Sequence, residues 1–274
     1  AGTEEDTGRV ELVGATTLAA FYSSFALLDV FGIDDFQAGT LLVTGATAAG
    51  FLGSFFGTSN MEVSGGMASA YSGGMLVGLL NGLLLGPALG IDPAGSVVDG
   101  VSTDGEVNQN YLLFGLGTMA AGAALGGYAG YRLHPTRAQA QFPATLAVSG
   151  LATIGLGMVA LDAVPENADT GFAVAAIGMD VGTAAGILLA PHIDWSVSRA
   201  RYVSLAEFLG ALGGFALSAI IVGKPDTDSE VRVMAGTTLA GVWAGLGAGV
   251  YFTRHMVPDP RFATSLKETS TQFQ

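Results

Sequence analysis

Three acidic residues interrupt stretches that otherwise carry almost no charge: Asp29, Asp180 and Glu207. A carboxylate at mid-bilayer depth costs at least ~2.5–3.5 kcal/mol on insertion scales, so it faces protein or water and usually has a task. Asp180 is the most central of the three, set in Gly178-Met-Asp-Val-Gly182. Glu207 stands closer to a basic turn, within reach of Arg199 or Arg201, and Asp29 reads as interfacial. A proton or ion relay through Asp180 and Glu207 is one chemistry that this pattern allows. A structural hydrogen bond or a local water defect is the other.

The histidines are His134, His192 and His255, each just beyond an apolar run in a similar setting, such as Leu133-His-Pro-Thr-Arg137. Three imidazoles converging within about 4 Å of one point would bind a divalent metal. The competing account is a turn after a helix C-terminus, where His and Arg suit the helix dipole. Without cysteine there is no thiol nucleophile, disulfide or cysteine zinc site. No nucleophile–base pair with recognisable spacing occurs. The glycines match no phosphate loop, since GxxxxGK[ST] is absent. Neither enzymatic activity nor a cofactor is expected.

The elements that must position these residues follow from composition. Of 274 residues, 50% are hydrophobic and only 12% charged, against about 25% charged in an ordinary soluble domain. The net charge of −13 argues against nucleic acid as a partner, because phosphate neutralisation needs a basic surface. The 42 glycines follow no G-X-Y period, which excludes collagen, and the apolar content excludes a disordered chain. Charges gather in short stretches separated by apolar runs of about twenty residues, the length of helix that crosses ~30 Å of hydrocarbon. Eight spans are expected, near 12–31, 36–57, 67–91, 111–131, 143–164, 171–191, 202–222 and 233–252. Some are rich in Ala, Gly and Thr, so a soluble helical core is the alternative for those. A β-barrel is rejected, because runs such as 120–127 do not alternate and Ala and Gly are poor strand formers. The expectation is an all-α, polytopic helical membrane protein with a polar segment at 1–10, an eight-helix domain at 11–256 and a polar tail at 257–274.

The loops alternate in character. Those at 32–35, 92–110, 165–169 and 223–230 are acidic, whereas 58–64, 132–137, 192–201 and 254–261 are mostly short and basic. Arg9, Arg132, Arg137, Arg199, Arg201, Arg254, Arg261 and Lys267 share one side; Lys224 and Arg232 take the other. That asymmetry is the positive-inside pattern of inserted helices, and an even number of spans puts both termini on the basic side. Thr136, Ser64, Asp194 and Ser196 read as helix N-caps. Trp195, Tyr131, Tyr202, Tyr251 and Phe252 read as an aromatic belt at headgroup level.

Small residues repeat at four-residue spacing in the even spans. They are Ala49, Gly53 and Gly57; Gly122, Gly126 and Gly130; Gly178, Gly182 and Gly186; and Gly241, Gly245 and Gly249. Residues four apart share a helix face, and small ones let backbones approach closely where lipid supplies no hydrophobic drive between helices. Four pseudo-repeated hairpins are expected, each opened by an even span and closed by the odd one after it, with spans eight and one as the last pair. The start at Ala1 rather than Met fits either a removed secretory leader or an expression boundary. A leader would place the N-terminus on the periplasmic or lumenal side, in conflict with a simple positive-inside assignment. A bacterial envelope is the expected location, with inner and outer membrane both open. The expected partners are membrane lipids and a homo-oligomer or larger membrane complex. The expected role is a non-enzymatic scaffold or assembly subunit. The alternative is a transporter or channel whose repeats form a midplane site at Asp180 and Glu207, with Pro87 as the one suggestive helix break.

Overall fold

A computed structural model describes residues 4–91, 93 and 108–256. The expected tail at 257–274 and most of the loop at 92–110 lie outside the described residues. The helices are α1 (Glu4–Phe31), α2 (Phe36–Gly57), α3 (Gly65–Ala88), α4 (Gln109–Leu133), α5 (Arg137–Ala160), α6 (Ala168–Leu189), α7 (Val197–Val222) and α8 (Asp228–Phe252). A short 3-10 turn, Ala190–His192, follows α6. Among the described residues there is no strand, and all eight helices are long and apolar enough to cross a bilayer. The chain is an all-α, multi-pass membrane protein.

Helix starts follow from capping chemistry. Ser64 accepts from the Met67 amide and Ser196 from the Arg199 amide, each relieving an orphan donor of the first turn. Thr136 and Gln139 exchange hydrogen bonds at the start of α5, and Thr227 and Glu230 form a reciprocal box at the start of α8. The cap of α7 is thus Ser196, not Asp194. Helix α1 begins earlier than the apolar pattern implied, so most of the polar segment 1–10 is helical.

The packing is small inside and large outside. Ala68, Ala147, Ala176, Ser24, Ser69, Ser149 and Ser218 are buried, while Leu125, Leu188, Ile220, Ile221 and Phe252 stand exposed. A water-soluble helix puts its large apolar residues on the buried stripe. The reverse arrangement fits a solvent as apolar as leucine, in which helices associate through close contact rather than by hiding oily side chains.

By contact the chain divides into two compact units, 1–140 with 167–176 and 141–166 with 177–274. The hairpin phase differs from the sequence expectation. Helix α1 packs on α2, α3 on α4 and α7 on α8, and α5 on α6, so odd helices open each hairpin and the acidic turns join them. In α3–α4 a methyl group on Gly74 would overlap the carbonyl oxygen of Gly122, and one on Gly122 would overlap that of Gly74. The same reciprocal approach joins Gly210 with Gly241 and Gly150 with Gly178. Backbones this close place Cα–H groups against carbonyls, a weak hydrogen bond that recurs at helix interfaces. Gly126 meets Ala70, Gly130 meets Met67, Gly182 meets Leu146, Gly186 meets Pro143, Gly245 meets Ala206, and Gly249 meets Val203.

Helix α2 departs from the frame expected for it. Gly53 and Gly57 face open space, and Gly50 makes the close approach, against Ala20 and Thr16 of α1. The reason lies in the helix ends. In α4, α6 and α8 the three glycines stand eleven, seven and three residues before the last helical residue. Counted the same way, α2 offers Ala46, Gly50 and Ser54.

The sign of one substitution should therefore depend on position. Gly241→Ala forces a methyl into the Gly210 carbonyl and should cost about 1–3 kcal/mol as overpacking. Gly53→Ala should be neutral, or stabilising by up to ~1 kcal/mol through helix propensity. Thermal unfolding in detergent, followed by circular dichroism, measures both.

Candidate functional site

Helix α5 carries a hydroxyl at Thr145, Ser149 and Thr153, one per turn along one face. Each donates back along its own helix, to the carbonyls of Gln141 (3.4 Å), Thr145 (3.1 Å) and Ser149 (2.6 Å) respectively. Such back-bonding satisfies a hydroxyl where no water is present. The same oxygens also reach neighbouring helices. Thr145 Oγ1 lies 3.0 Å from Ser204 Oγ of α7. Ser149 Oγ also lies 2.5 Å from Glu207 Oε1, a second acceptor for its one hydrogen, and Trp243 Nε1 of α8 donates to Thr153 Oγ1 at 3.0 Å. A polar seam therefore ties α5 to α7 and α8 within an otherwise apolar bundle. Glu207 is 6% exposed and Ser149 1%, so the carboxyl and its donor are enclosed by protein.

The two intramembrane acids singled out by sequence occupy different settings. Glu207 is buried against Ser149, whereas Asp180 lies on an exposed face of α6. Arg199, expected near Glu207, turns to α8 instead: its Nε donates to Thr253 Oγ1 at 3.3 Å and its guanidinium sits 4.8 Å over the Trp195 ring. Arg201 is exposed. Asp29 is exposed too, and its carbonyl accepts from Gln109 Nε2 at 3.3 Å.

A second, half-buried polar junction was not anticipated. Glu11 of α1 accepts from Ser69 Oγ of α3 at 2.8 Å and pairs with Arg137 Nη2 at 2.9 Å. Its signal was present in the sequence, as an acid and a base at the same basic-side depth. Glu11 adjoins the polar N-terminal segment, however, and so reads as surface.

The histidines serve as turn residues. His134 is the left-handed C-cap of α4, with its backbone amide on the Gly130 carbonyl. His192 closes the 3-10 turn, and His255 Nε2 accepts from Arg254 Nε at 3.1 Å. All three side chains are exposed. Among the described residues no group of three or more His, Cys, Asp or Glu is placed to hold a metal ion.

The first and last hairpins each carry a similar clasp at the basic end. Arg9 Nε donates to Thr58 Oγ1, and Arg199 Nε to Thr253 Oγ1, each at 3.3 Å. Both threonines are helix C-caps. Arg9 also lies 4.7 Å over Phe55 and Arg254 4.0 Å over Tyr251, cation–π contacts that suit the headgroup region. Comparison with protein-family models, with curated proteins and with solved structures returns no match.

The seam makes a direct prediction. Thr153→Val removes the acceptor of Trp243 and should cost about 0.6 kcal/mol and at most ~1.7 kcal/mol, the average and the largest value for hydrogen bonds between membrane helices. Denaturant unfolding in mixed micelles measures the loss. Trp243 fluorescence should shift, while that of Trp195 should not.

Proposed function

We propose that this protein is a non-enzymatic, membrane-embedded scaffold or assembly subunit of a bacterial envelope, in contact with lipid and with further protein subunits. The division of its side chains supports this reading. Small residues line the close helix–helix crossings, and the apolar exterior carries large residues such as Leu188, Ile220 and Phe252. A large apolar exterior on tightly packed helix pairs is what a membrane assembly module presents to its surroundings.

A second reading, a transporter or channel, draws on one specific observation. Glu207 is an acid buried within a membrane helix, and intramembrane acids commonly mark ion or proton paths. Asp180 is its candidate partner on the same path.

One preparation separates the two. The protein is extracted in native nanodiscs for mass measurement, then reconstituted into liposomes for proton and cation flux. The scaffold reading expects a mass above that of one chain with its lipid, and flux equal to that of empty liposomes. Flux that disappears in Asp180→Asn or Glu207→Gln would establish the transporter reading in its place.

A further inference from the structure

Ser149 has a single hydroxyl proton and two acceptors within reach of it. One is Glu207 Oε1 at 2.5 Å, and the other is the Thr145 carbonyl at 3.1 Å. A hydroxyl is one donor and two acceptor sites, and its hydrogen rotates to suit its neighbours. The arrangement is thus complete in two different ways. With Glu207 ionised, Ser149 donates to the carboxylate. With Glu207 protonated, the carboxyl O–H donates to Ser149 Oγ, and the Ser149 hydrogen turns to the Thr145 carbonyl. In both states Glu207 Oε1 and the Ser149 hydroxyl are partnered, and no heavy atom has to move.

We propose that Glu207 and Ser149 form a reversible proton-binding site inside the membrane domain, with the α5 hydroxyl as the rotor that fits both states. The proton comes from water and returns to it; one O–H bond forms on the carboxylate and the same bond breaks on release. The proposal does not depend on transport, because a scaffold can bind a proton without conducting it.

The groups around the site are accounted for as follows. From α5 come the hydroxyls of Thr145, Ser149 and Thr153. From α8 come Gly241 and Gly245 against Gly210 and Ala206 of α7, with Trp243 held by Thr153. On α7 itself the cations are Arg199 and Arg201; the first is turned to Thr253 and the second is exposed. Asp180 of α6 lies on an exposed face. Charge that would hold Glu207 permanently in one state is not among the contacts described for it, whereas Glu11 has the Arg137 guanidinium at 2.9 Å.

The test is infrared difference spectroscopy of the full chain in liposomes, stepped between acid and alkaline pH in H2O and in D2O. The expected result is a carboxylic C=O band that appears on acidification, moves to lower frequency in D2O, survives Asp180→Asn and disappears in Glu207→Gln. Ser149→Ala should keep the band but shift its frequency, because the carboxyl O–H loses its acceptor. Were Glu207→Gln to misfold, Ser149→Ala and Asp180→Asn still decide the assignment. A wild-type protein with no such band, a band lost in Asp180→Asn, or a frequency indifferent to Ser149→Ala would overturn the proposal. Proton flux in the same liposomes is read separately, so a bound proton with no flux supports the site while counting against a transporter.

Discussion

Helices surrounded by hydrocarbon gain little by covering their oily side chains, and that constraint orders the rest of this structure. What remains to hold helix to helix is contact: dispersion, Cα–H groups on carbonyls, and a few hydrogen bonds across the seam. Contact improves as backbones approach, and approach is limited by the side chain between them. Gly74 against Gly122, Gly150 against Gly178 and Gly210 against Gly241 remove that limit in three successive hairpins. Glycine costs roughly 1 kcal/mol against alanine in a helix interior in water. Its concentration at these crossings is understandable only where the crossing returns more than that.

Polar groups obey the same constraint from the other direction. A hydroxyl in hydrocarbon needs a partner, and the helix backbone one turn earlier supplies it, as for Thr145, Ser149 and Thr153. An oxygen whose hydrogen is spent there can still accept sideways, as Thr153 does from Trp243, whereas Ser149 has its one hydrogen between the Thr145 carbonyl and Glu207, and Thr145 lies against Ser204. The buried carboxyl is therefore bound into the bundle by a neutral donor, while Glu11, near the basic end, is bound by a cation. Depth in the bilayer accounts for the difference, since charge pairs are easier to accommodate close to the headgroups.

The helices were legible because length, hydropathy and loop charge are one-dimensional signals. The repeat was legible as a spacing but not as a pairing. Small residues four apart mark a face without saying which neighbour it meets, so the hairpins were set one helix out of phase. The frame of α2 was misplaced for a related reason. Ala49-Gly53-Gly57 and Ala46-Gly50-Ser54 both satisfy the spacing, and only the position of the helix end distinguishes them. For the acids, the sequence marks the cost of Asp180 and Glu207 but not their surroundings. Ser149 is fifty-eight residues from Glu207, and no local pattern links a serine to an acid at that distance.

The central claim is that hydrocarbon, not water, bathes the large outward-facing side chains. With no native cysteine, single cysteines can be placed at Val181 and Leu209, exposed by 64% and 56%, and at Lys224 in an acidic turn. Nitroxide labels on each, in liposomes, report collisions with molecular oxygen, which dissolves in lipid, and with a water-soluble nickel chelate. The account predicts oxygen-rich, nickel-poor environments at 181 and 209 and the reverse at 224. Nickel access at 181 and 209 equal to that at 224 would contradict it.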